Sequence, residues 1–379
     1  MLLPYSRFWL ILMVGLLLVP AVVHLSSPST TISLEEGRQL ASLPAIPKSR
    51  KEAKGWSTRF DAYLNDHFGF RDPVIRLHAW INNATSNTTG NASVFRGADG
   101  WMFFRGDSML EQSSGRIIRS AQIEHTVSML ADMEALLSAK GSKLIVASPP
   151  NSATIYSDKI LGWPQPGRQT EYDLQLSLLR NRNITAVDLR PVLREARAQG
   201  DTYLQHDTHW NASGALAAFN AIAAEAGLAG WHLDAATAIG PETKLQGGDL
   251  ARMLGVAAYV SEVDRPLKLG GFQRVDYSAT PKVYELAGGG RSGSVILVLG
   301  DSFTAFHFAP MIAASGGRAI WLPHQICGFD WQWIEKFQPE QVWYMPTERY
   351  FPCDLRRRPA GMPARGVATH DPQKILTRW

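Results

Sequence analysis

At 379 residues the chain is too long for a small domain and suits one large α/β domain with decoration, or two domains. Its hydrophobic fraction of 45% supplies ample material for a core and excludes a disordered chain. The formal net charge of +4 is scattered apart from Arg356-Arg357-Arg358, so a nucleic-acid partner is not implied.

In chain order, the first element is an almost wholly apolar run from Phe8 to Leu25, preceded by Arg7. At ~18 residues it just spans a bilayer. His24 and Leu25 stand where a signal peptidase wants small residues, so an uncleaved anchor is expected over a cleaved signal peptide. Arg7 on the short N-terminal side sets an N-in orientation, which exports the remainder. The expected division is therefore an anchor over 1–25, a linker and helical extension over 26–95, and a catalytic domain over 96–379. In the extension, Glu35 to Pro47 reads as a short helix. Trp56 to Ile81 shows helical spacing interrupted at Asp66 to Pro73, with Asp72 as N-cap and Pro73 at the first helical position. Asn82 to Asn91 is a polar loop carrying Asn-X-Thr/Ser triplets at Asn83, Asn87 and Asn91.

Gly97 to Phe104 then reads as a turn leading into a strand. Arg116 to Lys140 has apolar residues three and four apart, the spacing of a long amphipathic helix. Strands are expected at Lys143–Ser148 and Ile184–Leu189, and helices at Glu171–Arg180, Pro191–Ala198 and Asn211–Ala226, the last capped by Asn211. The glycine-richer stretch 240–293 reads as an insertion over one edge of the site. Val295 to Gly300 is an unbroken apolar run, as in a strand buried on both faces. A helix over Phe303–Ala314 follows, with further strands at Ala319–Leu322 and Gln341–Met345. Strands alternating with helices predict an α/β fold: a parallel sheet with helices on both faces.

Two stretches carry chemistry. Gly300-Asp301-Ser302 ends the apolar strand and places a hydroxyl at the carboxyl edge of the sheet, near a helix N-terminus whose N–H groups suit an oxyanion. Gln205-His206-Asp207-Thr208-His209-Trp210-Asn211 sits before another helix. In extended backbone, Asp207 and His209 project from the same side, so His209 can serve as base for Ser302 with Asp207 orienting it. Two other readings of the second stretch stay open. One is a metal site from His206, Asp207 and His209, for which only His307 and His324 offer further imidazoles near the sheet edge. The other is a structural cap of the following helix. Cys327 and Cys353 lack the spacing of a metal or redox motif and are either one disulfide or two thiols.

Taken together, Asp207-Thr208-His209-Trp210 and the later Gly300-Asp301-Ser302 resemble the Asp-x-His-Trp and Gly-Asp-Ser motifs of the AlgJ/AlgX-type polysaccharide O-acetyltransferases, a family with an SGNH-hydrolase-like domain. Further matches run from Glu36–Pro47 and Asp66–Asp72 through Gly97–Phe104, Pro149–Tyr156 and Gly247–Leu254 to Thr347-Glu348-Arg349-Tyr350. The resemblance covers most of the chain after the apolar segment, in the order Asp, His, Ser, like a permuted version of ordinary SGNH enzymes. It is closer to the shorter, membrane-anchored AlgJ type, since little chain follows Ser302 for the carbohydrate-binding module of longer members.

The resemblance implies Ser302 as nucleophile and acyl carrier, His209 as general acid/base and Asp207 as its orienter. Asn151, Arg349 and Tyr350 are candidates for the remaining oxyanion donors, and Trp101 and Trp210 for stacking on a sugar ring. It also implies an exported or cell-wall polysaccharide as acceptor, a multi-spanning membrane acyltransferase as acetyl donor partner, and a catalytic domain in the periplasm anchored to the inner membrane. No cofactor or metal is called for. An acetylesterase with the same triad and a non-catalytic glycan-binding scaffold are the competing readings.

Overall fold

The computed structural model describes residues 93–162, 169–288 and 293–364 continuously, and within the first 92 chiefly 38–47 and 55–68. The apolar run 8–25 is described only at scattered positions, while Asp72-Pro73 and the 82–91 loop lie outside the described residues. Among the described residues no helix is long and apolar enough to cross a membrane. The helix expected over 35–47 is absent from its described part, where 40–47 is irregular. Trp56–Asp66 is helical.

The main body is built on one seven-stranded sheet. Its parts, in chain order, are helix α1 (Ser120–Ser138), strand β1 (Lys143–Val146), helix α2 (Glu171–Asn181) and strand β2 (Thr185–Ala186). Helices α3 (Arg190–Arg197) and α4 (Ala212–Glu225) follow, then strands β3 (Gln273–Ala279), β4 (Lys282–Ala287) and β5 (Val295–Gly300). Helix α5 (Phe308–Ala314), strand β6 (Arg318–Pro323), helix α6 (Gln332–Phe337) and strand β7 (Gln341–Met345) complete it. The spatial order is β2-β1-β7-β5-β6-β4-β3. The first five of these run parallel. β4 pairs antiparallel with both β6 and β3. The sheet is thus mixed rather than parallel throughout. An extended hairpin needs no crossover helix, and this one simply continues the β6 edge.

The pattern of β5 shows why the sheet is covered twice. Ile296 and Val298 point into a core shared with α3, α4 and α5. Leu297 and Leu299 point the other way, into a core shared with α1, α2 and α6. All four are fully buried, each worth about 2 kcal/mol over exposure. From β5 the chain crosses one face through α5 to β6, then the other through α6 to β7, on the far side of β5. Connections therefore diverge on either side of β7, β1 leading outward to β2 and β5 the other way to β6, and the carboxyl ends between them are the place where an open α/β sheet forms a crevice.

The stretch 240–293 divides. Residues 273–287 supply the sheet's edge strand β3 and its neighbour β4, while Thr243–Gln246 and Ser261–Asp264 form a separate antiparallel hairpin. Between its strands lies the short helix Asp249–Met253. The helix expected over 303–314 is broken in two, Ser302–Ala305 and Phe308–Ala314.

Candidate active site

Ser302 owes its position to its two neighbours. At Gly300, any Cβ would collide with the Thr304 side chain, so only glycine lets the strand turn there. Asp301 then caps the short helix, its Oδ1 accepting from Phe303 N–H at 3.0 Å. Its Oδ2 accepts from both N–H and Oγ1 of Thr347, at 2.8 and 2.6 Å, which ties the end of β5 to the loop after β7. Burial alone pushes the Asp301 carboxyl up. The neighbouring His324, 3.8 Å away, and the Thr347 donors outweigh burial and hold it down at about 2. Ser302 is the first residue of its short helix, where a backbone N–H has no acceptor within the helix, and its side chain is exposed.

The 205–211 loop reaches Ser302 from the other side. His209 Nε2 lies 2.8 Å from Ser302 Oγ. Its Nδ1 lies 2.6 Å from Asp207 Oδ1, which also accepts the His209 backbone N–H at 3.0 Å. Asp207 Oδ2 accepts the Asp249 backbone N–H at 2.8 Å. Burial opposes charging of His209, but the Asp207 hydrogen bond and the charges of Asp207 and Asp249 outweigh it and raise the imidazole above its ordinary value. For Asp207 burial is likewise outweighed, by the bond to His209 and its charge, and the carboxyl is lowered. Trp210 then fastens the loop to the Ser302 turn, donating Nε1–H to Phe303 O at 2.9 Å.

Of the other expected residues, Arg349 is brought to the site. It is 7% exposed, yet its Nε and Nη1 have no hydrogen-bond partner among the described residues. Its guanidinium lies 5.4 Å from the Phe303 ring centroid, and that ring is 4.9 Å from the His209 ring. Tyr350 is half-buried beside it, 4.8 Å from the guanidinium.

Asn151 is not available as an oxyanion donor. It is fully buried, with Nδ2 given to Gln112 and Ser113 and its backbone N–H to Glu348. That network supports the turn carrying Arg349. Trp101 and Trp210 are not free to stack on a sugar. Trp101 is 3% exposed and lies against Tyr156, ring centroids 4.0 Å apart, and Trp210 is completely buried against Phe303 and Phe308.

His206 turns away from His209 and lies 3.3 Å from Glu262. The acidic and imidazole atoms that do converge belong to Asp207, His209 and Asp249, within 4.8 Å of one another. Each carboxylate among them already accepts hydrogen bonds from the loop itself. His307 lines the cleft, and burial lowers it to about 4, so it stays neutral near pH 7.

The site opens into a cleft of ≈ 410 Å³ whose wall includes Asp207, His209, Ser302, Arg252, Phe306 and His307. Cys327 and Cys353 are joined in a disulfide with Cα atoms 6.1 Å apart. It links the loop after β6, which holds His324, to the segment that follows Arg349 and Tyr350. Sequence reasoning gave no role to Asp249, Asp301 or Thr347. The pair Gly247-Gly248 before Asp249 is the signal that a close backbone approach is built there.

A family model described as the SGNH hydrolase-like domain of the acetyltransferase AlgX matches residues 94–337, well over half of the chain. The chain belongs to this family. Within it, the chain is 29% identical over 255 residues to the probable alginate O-acetylase AlgJ of Pseudomonas aeruginosa, a match covering 64% of this chain and 60% of that protein. The chain thus spans somewhat under two thirds of the length of that relative. Among solved structures, a DHHW family protein from Eubacterium siraeum superposes with a TM-score of 0.53 at 12% identity, over 73% of this chain and 98% of that one. Bacillus cereus PatB1 gives 0.52 at 16% identity, over 69% and 98%. At these identities the likeness shows a shared fold.

Proposed function

We propose that this chain is a serine acyltransferase that O-acetylates a polysaccharide, with Ser302 as nucleophile, His209 as general acid/base and Asp207 as its orienter. The observation that carries this is the hydrogen-bonded line Asp207–His209–Ser302, at 2.6 and 2.8 Å, opening into a cleft. Ser302 Oγ attacks the carbonyl carbon of an acetyl donor while His209 Nε2 takes the hydroxyl proton. The tetrahedral oxyanion is held by the Ser302 backbone N–H and by the unpartnered N–H groups of Arg349. The oxyanion collapses, His209 returns the proton to the leaving group, and the acetyl group stays on Ser302. A sugar hydroxyl then loses its proton to His209 and attacks the acetyl-enzyme, and His209 returns the proton to Ser302 as the new ester departs.

Membership of the AlgX family, and the name of the relative, support acetyl transfer to a polysaccharide, with an alginate-like polymer as the first acceptor to try. We further infer that residues 8–25 anchor the chain in the inner membrane and that the catalytic body faces the periplasm, where a multi-spanning membrane acyltransferase delivers the acetyl group. The apolar run after Arg7 supports the anchor, and a disulfide beside the site suits an exported, oxidising location. The test is turnover of an acetyl ester with and without added glycan. Acetyl appearing on the glycan supports the transferase, and release of acetate that added glycan leaves unchanged identifies an esterase instead.

A further inference from the structure

Asp249 stands outside the Asp207–His209–Ser302 line, yet its polar atoms are given to Asp207 and to Thr208 between Asp207 and His209. Its backbone N–H donates to Asp207 Oδ2 at 2.8 Å. Its Oδ1 accepts the Thr208 N–H at 2.8 Å, and its Oδ2 accepts the Thr208 hydroxyl at 2.6 Å. The same Oδ2 lies 3.8 Å from His209 Nδ1. The backbone beside it is closely seated too. A Cβ on Gly248 would overlap the His206 carbonyl, and Ala251 N–H donates to that carbonyl at 3.2 Å. The 247–251 segment is therefore a clamp on the 206–209 loop.

We propose that Asp249 is a positioning residue of this site, a second carboxylate that aims Asp207 at His209 and supplies part of the negative charge that the imidazolium meets. The inference rests on the triad reading given above. Because Asp207 Oδ2 is taken by the Asp249 N–H, only Oδ1 faces Nδ1, which fixes the tautomer with Nε2 free for the Ser302 proton. Because both Asp249 oxygens are bound by Thr208, Asp249 does not compete for Nδ1–H and acts through its charge. Among the described residues the charged or titratable groups that act on His209 are Asp207, Asp249, Arg349 and His307, while Arg252 and Asp264 share its cleft wall. Of those that act on it, only the two aspartates favour the protonated ring.

The experiment is the pH dependence of Ser302 sulfonylation by phenylmethylsulfonyl fluoride, on the full chain. In that reaction the Oγ–S bond forms, fluoride leaves and His209 takes the proton, so the acid limb reports the imidazole. Asp249→Asn keeps the shape and removes the charge, so the limb should move to lower pH by at least about half a unit. Its plateau rate should fall about tenfold from looser aim. Asp249→Glu should bring the limb back toward wild type. An Asp249→Asn protein whose limb coincides with wild type, whatever its plateau, overturns the proposal and leaves Asp249 a staple only. If thermal melting shows Asp249→Asn unfolded, Asp249→Ser carries the same comparison with the same expected and overturning results. Labelling that persists in Ser302→Ala overturns the triad reading and this inference together. Labelling that needs Ser302, with an unmoved limb in Asp249→Asn, overturns this inference alone.

Discussion

His209 Nε2 lies 2.8 Å from Ser302 Oγ although 93 residues separate the two in the chain. The contact joins two independently anchored turns. Asp301 pins the serine turn to Thr347 in the loop that follows the neighbouring strand, and Trp210 ties the histidine loop to Phe303. Neither side chain reaches out of a flexible segment to make the contact, so the geometry is set before any substrate enters.

Asp207→Asn tests the orienter. Its amide can present N–H toward Nδ1 and stabilise the wrong tautomer, so kcat for an acetyl ester should fall about 10³- to 10⁴-fold. Turnover kinetics with a chromogenic ester measure this, and a thermal melt near wild type assigns the loss to chemistry rather than folding.

The pH profile follows from the direction of the His209 shift. The imidazole must be neutral to accept the Ser302 proton, and it is raised above its ordinary value. Activity is therefore lost as pH falls through a midpoint above about 6.5. A kcat/KM profile for ester turnover gives the midpoint directly, and one at or below that value contradicts the assignment.

Arg349 is a buried cation whose Nε and Nη1 have no partner among the described residues. Arg349→Gln should lower kcat by about 10²- to 10³-fold, the usual cost of losing an oxyanion donor. The melting temperature should stay near wild type, since Nε and Nη1 give up no hydrogen bond. A loss of stability with kcat intact would make Arg349 a packing residue.

The legible and illegible parts of this chain differ for physical reasons. β5 was readable because a strand covered on both faces must be apolar at every position, as Ile296 to Leu299 are. The meeting of Asp207, His209 and Ser302 was readable because the two-residue spacing of Asp207 and His209 and the Gly-Asp-Ser turn are local patterns. The edge strand β3 was hidden because its part-exposed run mixes Arg274 and Asp276 with Val275 and Tyr277, and β4 beside it because the buried Glu285 interrupts its apolar run. Burial of Trp101 and Trp210, and the engagement of Asn151 with Gln112 and Ser113, depend on partners far along the chain, and no local pattern announces them. The role of Asp301 depends on Thr347, 46 residues later, and was invisible for the same reason.

Asp301 makes acid stability predictable. Its carboxyl is lowered from 3.8 to about 2, so the ionised group stabilises the fold fully above the unfolded value. That contribution is lost as pH falls from about 4 through about 2, and is worth on the order of 2 kcal/mol. Urea unfolding of wild type between pH 6 and 2.5 should show this loss. Asp301→Asn should be less stable at pH 6 and lack that part of the acid slope.

The disulfide closes a loop of 26 residues. Replacing Cys327 and Cys353 together by serine should cost about 3 to 4 kcal/mol by the loop-entropy relation. A denaturant titration of the double variant beside wild type measures the difference, and a change under about 1 kcal/mol would mean that packing alone holds the His324 loop.

The most direct test of the central claim is intact-mass analysis of the protein after brief exposure to an activated acetyl ester, for wild type and for Ser302→Ala. An acyltransferase working through Ser302 predicts one acetyl group on wild type, mapped to the peptide containing Ser302 and discharged by added glycan, with none on the variant. An acetyl group that persists in Ser302→Ala, or a wild type that turns over the ester with the label at another residue, would contradict it.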